Sequence, residues 1–154
     1  MAFEQPSLKG RALRLLSTRE HSRVELERKL RPYETEPGML AQALDELQAK
    51  GFISEQRVVE SVLHRRAGKL GAARLRQELQ DKGLAPELVA QALDGLRGSE
   101  FERAQAVWRK KFGMVPATPA ERAKQARFLM TRGFAADVVR RVLSSAGAPD
   151  SDEE

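Results

Sequence analysis

The pentapeptide Ala41-Gln42-Ala43-Leu44-Asp45 occurs again as Ala90-Gln91-Ala92-Leu93-Asp94, 49 positions further along the chain. Apolar residues on both sides of the two copies keep the same spacing. Positions related in this way include Leu26 with Leu75, Leu30 with Leu79 and Phe128, and Leu40 with Val89 and Val138. A fixed period of this length is typical of repeat proteins, which usually present extended surfaces to other macromolecules. The sequence therefore predicts three related modules in tandem.

The composition favours helices over strands. The chain is 41% apolar, 32% charged and 5% aromatic, and it is rich in the helix formers Ala, Leu, Arg and Glu. Apolar residues recur at helical spacing between clear start and stop signals. The predicted start signals include two capping boxes, Ser22 with Glu25 and Thr118 with Glu121, and a first-turn proline at Pro37 and Pro119. Nine helices are predicted, starting near Ser7, Ser22, Pro37, Ser54, after Gly71, and near Pro86, Ser99, Thr118 and Ala136. The predicted fold is all-α.

Grouping the predicted helices in threes gives the domain organisation. The first three-helix module covers residues 1–52, the second residues 53–98 and the third residues 99–147. Residues 148–154 are predicted to be a disordered acidic tail. One module of this size would be marginally stable alone, so neighbouring modules should support one another.

Three glycines follow predicted helices in the same local context, in Lys50-Gly51-Phe52, Lys82-Gly83-Leu84 and Arg132-Gly133-Phe134. Each glycine is predicted to adopt a left-handed conformation, with the next apolar residue packing back on the helix. The preceding cation suits the negative end of the helix dipole. Because this explains the three cations structurally, they are not taken as binding residues.

The chain shows no pattern of an active site or a metal site. His21 and His64 have no cysteine or paired histidine at ligand spacing, and both are predicted to be partly exposed helix residues. The segment Gly68-Lys69-Leu70-Gly71 is too short for a phosphate-binding loop, and Trp108 is predicted to be core. We expect no catalytic residue, cofactor or metal. With no cysteine, no secretory signal and no long apolar run, we expect a cytoplasmic protein without membrane contact.

Basic side chains concentrate in the second half of the chain. The net charge is +5, and residues 99–148 carry 10 basic against 4 acidic side chains. Such a balance is typical of a protein that meets a polyanion or an acidic surface, although each cluster could also be a solvated helix face. The candidate partner-binding residues are Arg65, Arg66, Lys69, Arg74, Arg76, Arg109, Lys110, Lys111, Arg140 and Arg141.

Several segments, taken in order, resemble the RecX family of regulatory proteins. They are residues 17–30, Gly71-Ala72-Ala73-Arg74-Leu75-Arg76-Gln77-Glu78-Leu79, residues 81–84, Arg109-Lys110-Lys111-Phe112 and residues 127–134. The resemblance extends from about Leu8 to Leu143. It implies tandem three-helix modules in an elongated, curved arrangement. The acidic ending formed by Asp150, Asp152, Glu153 and Glu154 is not part of the resemblance, and we expect a solubilising tail.

The resemblance also implies a function, namely negative regulation of the RecA recombinase in recombination, DNA repair and the SOS response. RecX-like proteins bind the groove or the end of the RecA–DNA filament and restrain its ATPase, strand exchange and co-protease activities. The expected partners are RecA and its DNA filament, with weak non-specific DNA binding besides, and the expected state is a monomer without enzymatic activity. Two alternatives stay open: a stand-alone helical DNA-binding module, and an adaptor for acidic proteins.

Overall fold

The structure is a computed structural model that describes residues 5–146, and this range is helical without a strand. The nine α-helices of the described range are α1 Leu8–Thr18, α2 Arg23–Leu30, α3 Met39–Ala49, α4 Glu55–Arg66, α5 Ala72–Asp81, α6 Pro86–Asp94, α7 Glu100–Lys111, α8 Pro119–Thr131 and α9 Ala136–Ser145. Short 3-10 turns lie at Arg31–Tyr33 and Arg97–Ser99. The predicted helices are thereby confirmed, whereas the acidic tail predicted at residues 148–154 lies outside the described residues.

Hydroxyl side chains begin several of these helices. Ser22 forms the predicted capping box, since its hydroxyl accepts from the backbone N–H of Glu25 and the Glu25 carboxylate accepts from the backbone N–H of Ser22. Thr118 caps α8 in the same way, but its predicted box is not closed. The Glu121 carboxylate accepts instead from the backbone N–H of Ala117, at 2.7 Å. That bond ties α8 to the loop before it.

The start of α3 differs from the prediction. Pro37 was expected in the first turn of the helix, but Pro37 and Gly38 form a turn and the helix begins at Met39. Gly38 has a φ of +88°, which a glycine adopts without steric cost. The Glu34 carboxylate then accepts from the backbone N–H of Leu40 and satisfies one donor of the new helix end.

The described residues form two compact units. One contains residues 5–61 and 79–89, and its core includes the fully buried side chains of Leu26, Leu44 and Leu47. The other contains residues 62–78 and 90–146. In its core, α7 packs against α9 and α8 through Ala104, Trp108, Leu129, Val139 and Val142. The two units divide the chain differently from the three predicted modules, whose boundaries stay a prediction.

Within the second unit, the first turn of α5 is hydrogen-bonded to the last turn of α8. The backbone N–H of Gly71 donates to the carbonyl of Arg132 at 2.8 Å, and that of Ala73 donates to the carbonyl of Gly133 at 3.2 Å. The Arg74 guanidinium donates to the Thr131 carbonyl at 3.1 Å. Helix ends leave such donors and acceptors without partners inside the helix. The donors at the start of α5 and the carbonyls at the end of α8 therefore satisfy one another.

A related contact occurs within the first unit, between the start of α2 and the end of α5. The Ser22 hydroxyl donates to the Lys82 carbonyl at 2.6 Å, and the Arg28 guanidinium donates to the Asp81 carbonyl at 2.7 Å. The Lys82 ammonium lies 3.1 Å from the Glu25 carboxylate. Because Ser22 also caps α2, one hydroxyl serves two helix ends.

The predicted glycine stops are confirmed, with one exception in the residues that follow them. Gly51, Gly83 and Gly133 all have positive φ, at 83°, 70° and 92°. Leu84 and Phe134 are buried behind their glycines, as expected. Phe52 was expected to pack back in the same way but is 45% exposed. A backbone stop therefore forms whether or not the next side chain reaches a core.

His21 also differs from the prediction of a partly exposed helix residue. It precedes α2 and is only 1% exposed. Its Nδ1 lies 3.0 Å from the Arg19 carbonyl and its Nε2 lies 3.2 Å from the Lys29 ammonium. Burial lowers the pKa of His21, although the Arg19 carbonyl opposes that shift. The ring is therefore neutral at pH 7, with Nδ1–H donating to the carbonyl and Nε2 accepting from Lys29.

The α5–α8 contact predicts a large cost for Gly133→Ala. A Cβ at Gly133 would lie 2.5 Å from the backbone nitrogen of Arg74, and its φ is unfavourable for alanine. Gly51→Ala is the matched control, since Gly51 has a similar φ and nothing within 4 Å of an added Cβ. We expect a loss of about 3 kcal/mol for Gly133→Ala and about 1 kcal/mol for the control, measured by urea unfolding. Equal losses would contradict the close approach.

The Glu25 network predicts a pH-dependent contribution to stability. Burial raises the pKa of Glu25, but hydrogen bonds from Arg19, Ser22 and Lys82 outweigh it and lower the pKa to about 2 from 4.5. The contribution is complete above pH 4.5 and is lost as the pH falls through about 2. Glu25→Gln should therefore cost about 2 kcal/mol at pH 7. The difference from the native chain should shrink below pH 4.5 in urea unfolding experiments.

Glu27→Gln on the same helix is the control for this experiment. Glu27 pairs with Arg23 across one turn, and both side chains are about one-third exposed. Such surface pairs contribute roughly 0.3–0.5 kcal/mol, so this variant should stay close to the native chain at both pH values. A pH-independent loss in Glu25→Gln would mean that its carboxylate charge is not what stabilises the contact.

Candidate functional site

A groove in the second unit is the candidate functional site. It lies between the end of α4, the segment that follows it, α7 and α8, and its volume is about 580 Å³. We call it the cationic groove. Its described lining residues are His64, Arg65, Gly68, Lys69, Ala106, Val107, Lys110, Lys111, Phe128 and Arg132. Five of these are Lys or Arg, and none of the described lining residues is Asp or Glu.

Local sequence explains why cations collect here. Arg65 is in the last turn of α4, Lys110 and Lys111 are in the last turn of α7, and Arg132 caps the end of α8. Each of these helix ends carries a partial negative charge that favours a cation. Three helix ends thus bring their cations to one groove. A positive potential follows from their common location and the absence of carboxylates among the described lining residues.

The floor of the groove is apolar. Phe128 meets Phe112 edge to face, with ring centroids 5.4 Å apart. The Lys111 ammonium lies 5.4 Å from the Phe128 centroid, and the Arg132 guanidinium lies 4.9 Å from it. Cations at such distances are attracted to the ring. The phenyl ring therefore helps to hold two of the cations, while Ala106 and Val107 continue the apolar surface.

Arg103 fixes the segment that carries Lys69. Its guanidinium donates to the carbonyls of Ala67 and Leu70, at 2.7 and 2.6 Å, and its Nε donates to the Ser99 hydroxyl. These carbonyls follow the end of α4, where acceptors lack partners within the helix. Burial lowers the pKa of Arg103, and the charge of Glu100 opposes that shift. This wall of the groove is thus hydrogen-bonded to α7.

A buried polar pair connects α7 and α8 below the groove. The Trp108 indole N–H donates to the Gln125 side-chain oxygen at 2.8 Å, and the Gln125 amide donates to the Met114 carbonyl at 3.2 Å. Trp108 is core, as predicted. Gln125, at 7% exposure, was not identified from the sequence. Its spacing from Leu129 on one helix face was the available signal.

Four of the ten predicted partner-binding residues line the cationic groove. They are Arg65, Lys69, Lys110 and Lys111. The groove also contains His64, which was set aside as a surface residue, and Arg132, which was set aside as a helix-end cation. Arg132 shows that a cation with a structural role at a helix end can also line a surface groove.

The other predicted residues do not line this groove. The Arg66 guanidinium pairs with both carboxylate oxygens of Glu78, at 2.8 and 3.3 Å, and this partner raises its pKa. Arg74 is engaged with α8, and the Arg141 guanidinium lies 4.4 Å from the Phe101 centroid. The remaining three, which are exposed on α5, α7 and α9, are Arg76, Arg109 and Arg140. Their proposed role in partner binding stays a prediction.

Two further properties of the described residues concern metal binding and membrane crossing. No group of three or more His, Cys, Asp or Glu side chains among residues 5–146 is placed to hold a metal ion. Within the same range, none of the helices has the length and apolar character needed to cross a membrane.

Known proteins match this chain over nearly its full length. Residues 9–47, 54–93 and 99–143 match the first, second and third three-helix domains of RecX. Regulatory protein RecX of Leptothrix cholodnii is 55% identical over 95% of this chain and 94% of its own. That of Ralstonia nicotianae is 47% identical over 96% and 94%. These matches agree with the all-helical fold and the three three-helix domains.

Solved structures share the fold. A crystal structure of a regulatory protein RecX superposes with a TM-score of 0.76 at 21% identity, covering 89% of this chain and 71% of the other. The crystal structure of RecX from Lactobacillus salivarius gives a TM-score of 0.73 at 19% identity, covering 91% and 94%. At these identities the likeness concerns the arrangement of the helices.

The pair below the groove predicts a cost for Gln125→Leu. The substitution introduces an apolar side chain of similar size and leaves the buried indole N–H of Trp108 without its acceptor. We expect a loss of about 2 kcal/mol in the free energy of unfolding. Trp108 is the single tryptophan of the chain, so its fluorescence during urea unfolding reports this region directly. Lys124→Leu on the exposed face of α8 is the control, and a similar loss there would contradict this account.

Proposed function

The chain belongs to the RecX family of regulatory proteins, and from this premise we propose that it is a negative regulator of the RecA recombinase. It binds the RecA–DNA filament in its groove or at its end. Binding restrains the ATPase, strand-exchange and co-protease activities of the filament. The observation that carries this proposal is the ordered match of all three RecX domains together with high identity to proteins named regulatory protein RecX.

The positive charge of the cationic groove supports the proposal. A RecA–DNA filament offers DNA phosphates, and protein surfaces offer carboxylates, so a positively charged groove has two kinds of anionic partner available. The groove is built from cations held at helix ends and lies on exposed surface. A regulator that acts by binding needs such a surface, and no chemical step is required of it.

We expect charge reversal of Arg109, Lys110 and Lys111 together to weaken regulation. In an assay of RecA ATPase on single-stranded DNA, the triple glutamate variant should need about tenfold more protein for half inhibition than the native chain. Tenfold corresponds to about 1.4 kcal/mol of binding free energy. Glutamates in the last turn of α7 are unfavourable for the helix dipole, so some stability is lost. Circular dichroism should still show a folded helical chain, because all three side chains are exposed.

The matched control reverses Arg122, Lys124 and Arg127 on α8. It makes the same change in net charge within the same unit, and these three side chains are exposed without lining the cationic groove. We expect less than a threefold effect, which reflects long-range electrostatics alone. Equal weakening by both triple variants would remove the α7 residues from the proposed mechanism.

The native chain provides the test of the function itself. Loss of RecA ATPase well below one copy per RecA would indicate action at filament ends, whereas loss near equal amounts would indicate binding along the filament groove. No inhibition at any ratio by the folded protein would refute the proposal. In that case, DNA binding that weakens steeply as salt rises would support the stand-alone DNA-binding module.

A further inference from the structure

We infer that the cationic groove receives an acidic peptide segment of the partner protein, with an apolar side chain on the floor and carboxylates at the rim. This inference rests on the proposed function, since it names what the groove binds in the RecA–DNA complex. It concerns Lys69, Lys110, Lys111 and Arg132 at the rim and Ala106 and Phe128 at the floor.

The rim determines the charge of the occupant. Lys69, Lys110 and Lys111 are exposed lysines, and each offers three donors on a flexible stem. Because no acidic side chain is among the described lining residues, the groove does not neutralise these charges from within. Carboxylates arranged along a flexible peptide can meet ammonium groups that differ in direction, since a lysine head is not tied to one bonding geometry.

The floor determines the apolar part of the occupant. Ala106 is exposed on α7, and Val107 and Phe128 are half-buried, so part of the groove lining is an open apolar surface among charged side chains. An apolar side chain placed there would gain roughly 25 cal/mol for each Å² removed from water. A phosphate or sugar on the same floor would lose water without finding a donor. The floor therefore favours a peptide side chain over a DNA backbone.

The aromatic content argues in the same direction. Single strands of DNA are usually held by stacking their bases on open aromatic rings. Phe128 is the one phenyl ring among the described lining residues, and Phe112, Lys111 and Arg132 already lie against it. A base would have to displace these neighbours in order to stack. A short aliphatic side chain can instead lie beside the ring on Ala106 and Val107.

The groove has room for a small part of a peptide. Its volume of about 580 Å³ falls within the roughly 300–1,000 Å³ of typical small-molecule sites. One apolar side chain with its neighbouring backbone fits such a space, and flanking acidic residues would extend over the rim. The floor would then add apolar contact to the affinity, and the rim would add charge attraction, orientation and association rate.

Zero-length cross-linking tests the inference on the native protein. A water-soluble carbodiimide activates a carboxylate, and a lysine ammonium that has lost its proton attacks the activated carbon, so an amide forms and a urea leaves. The complex of this protein with RecA on single-stranded DNA would be treated in this way and mapped by mass spectrometry. We expect amides from Lys69, Lys110 or Lys111 to Asp or Glu of one RecA segment that also contains an apolar residue.

The floor is tested by Ala106→Gln, which changes no charge and lies on an exposed helix position. We expect cross-linking of the groove lysines to fall at least fivefold. Half inhibition of the ATPase should need about fivefold more protein, which corresponds to about 1 kcal/mol of binding free energy. Ala123→Gln on the exposed face of α8 makes the same substitution outside the groove and should change neither value. An unchanged Ala106→Gln variant would overturn the role of the floor.

The DNA alternative is tested in the same complex with a strand that carries 4-thiothymidine. Photocross-links from that strand to the groove residues, without carbodiimide amides at the lysines, would overturn the inference in favour of nucleic acid. Inhibition that persists with neither kind of cross-link in the groove would overturn it as well, and would leave the proposed function standing. Absence of inhibition by the native protein would instead refute the proposed function.

Discussion

Mutual satisfaction of helix ends is the constraint on which the second unit depends. The carbonyls at the end of α8 accept the backbone N–H groups at the start of α5, and the Arg74 guanidinium completes the set. Neither helix end could be buried without the other, because an unpaired backbone group removed from water is costly. Gly71 and Gly133 have no side chain that would separate the two ends. The contact also places Arg132 at the cationic groove.

Local sequence was sufficient to predict the helices and most of their ends. The signals acted over three or four residues: the Ser22 capping box, the proline at the start of α8, and the left-handed glycines at three stops. Such signals do not depend on distant partners, so they could be read directly. At Pro37 and Gly38 two such signals compete. The helix begins after the left-handed Gly38, and the Glu34 carboxylate accepts from the backbone N–H of Leu40.

The burial of individual side chains, and the grouping of residues from different helices into one surface, could not be predicted in the same way. His21 became buried because a carbonyl and an ammonium accept and donate at its two ring nitrogens, and Phe52 stayed exposed although its local context matches that of Phe134. The cationic groove combines residues from α4, α7 and α8. Its members are separated by up to 68 positions, from His64 to Arg132, and no pattern within one helix indicates that they share a surface. Four of the predicted cations reach it, while Arg66 and Arg74 hold other parts of the fold.

The pairing of helix ends has an evolutionary consequence. In the first unit the end of α5 meets the start of α2, and in the second unit the start of α5 meets the end of α8. A duplicated module brings both kinds of end with it, so an added copy can occupy the junction on each side without leaving a new unpaired surface. A tandem copy of a three-helix unit would therefore find partners for its own helix ends in the copies on either side.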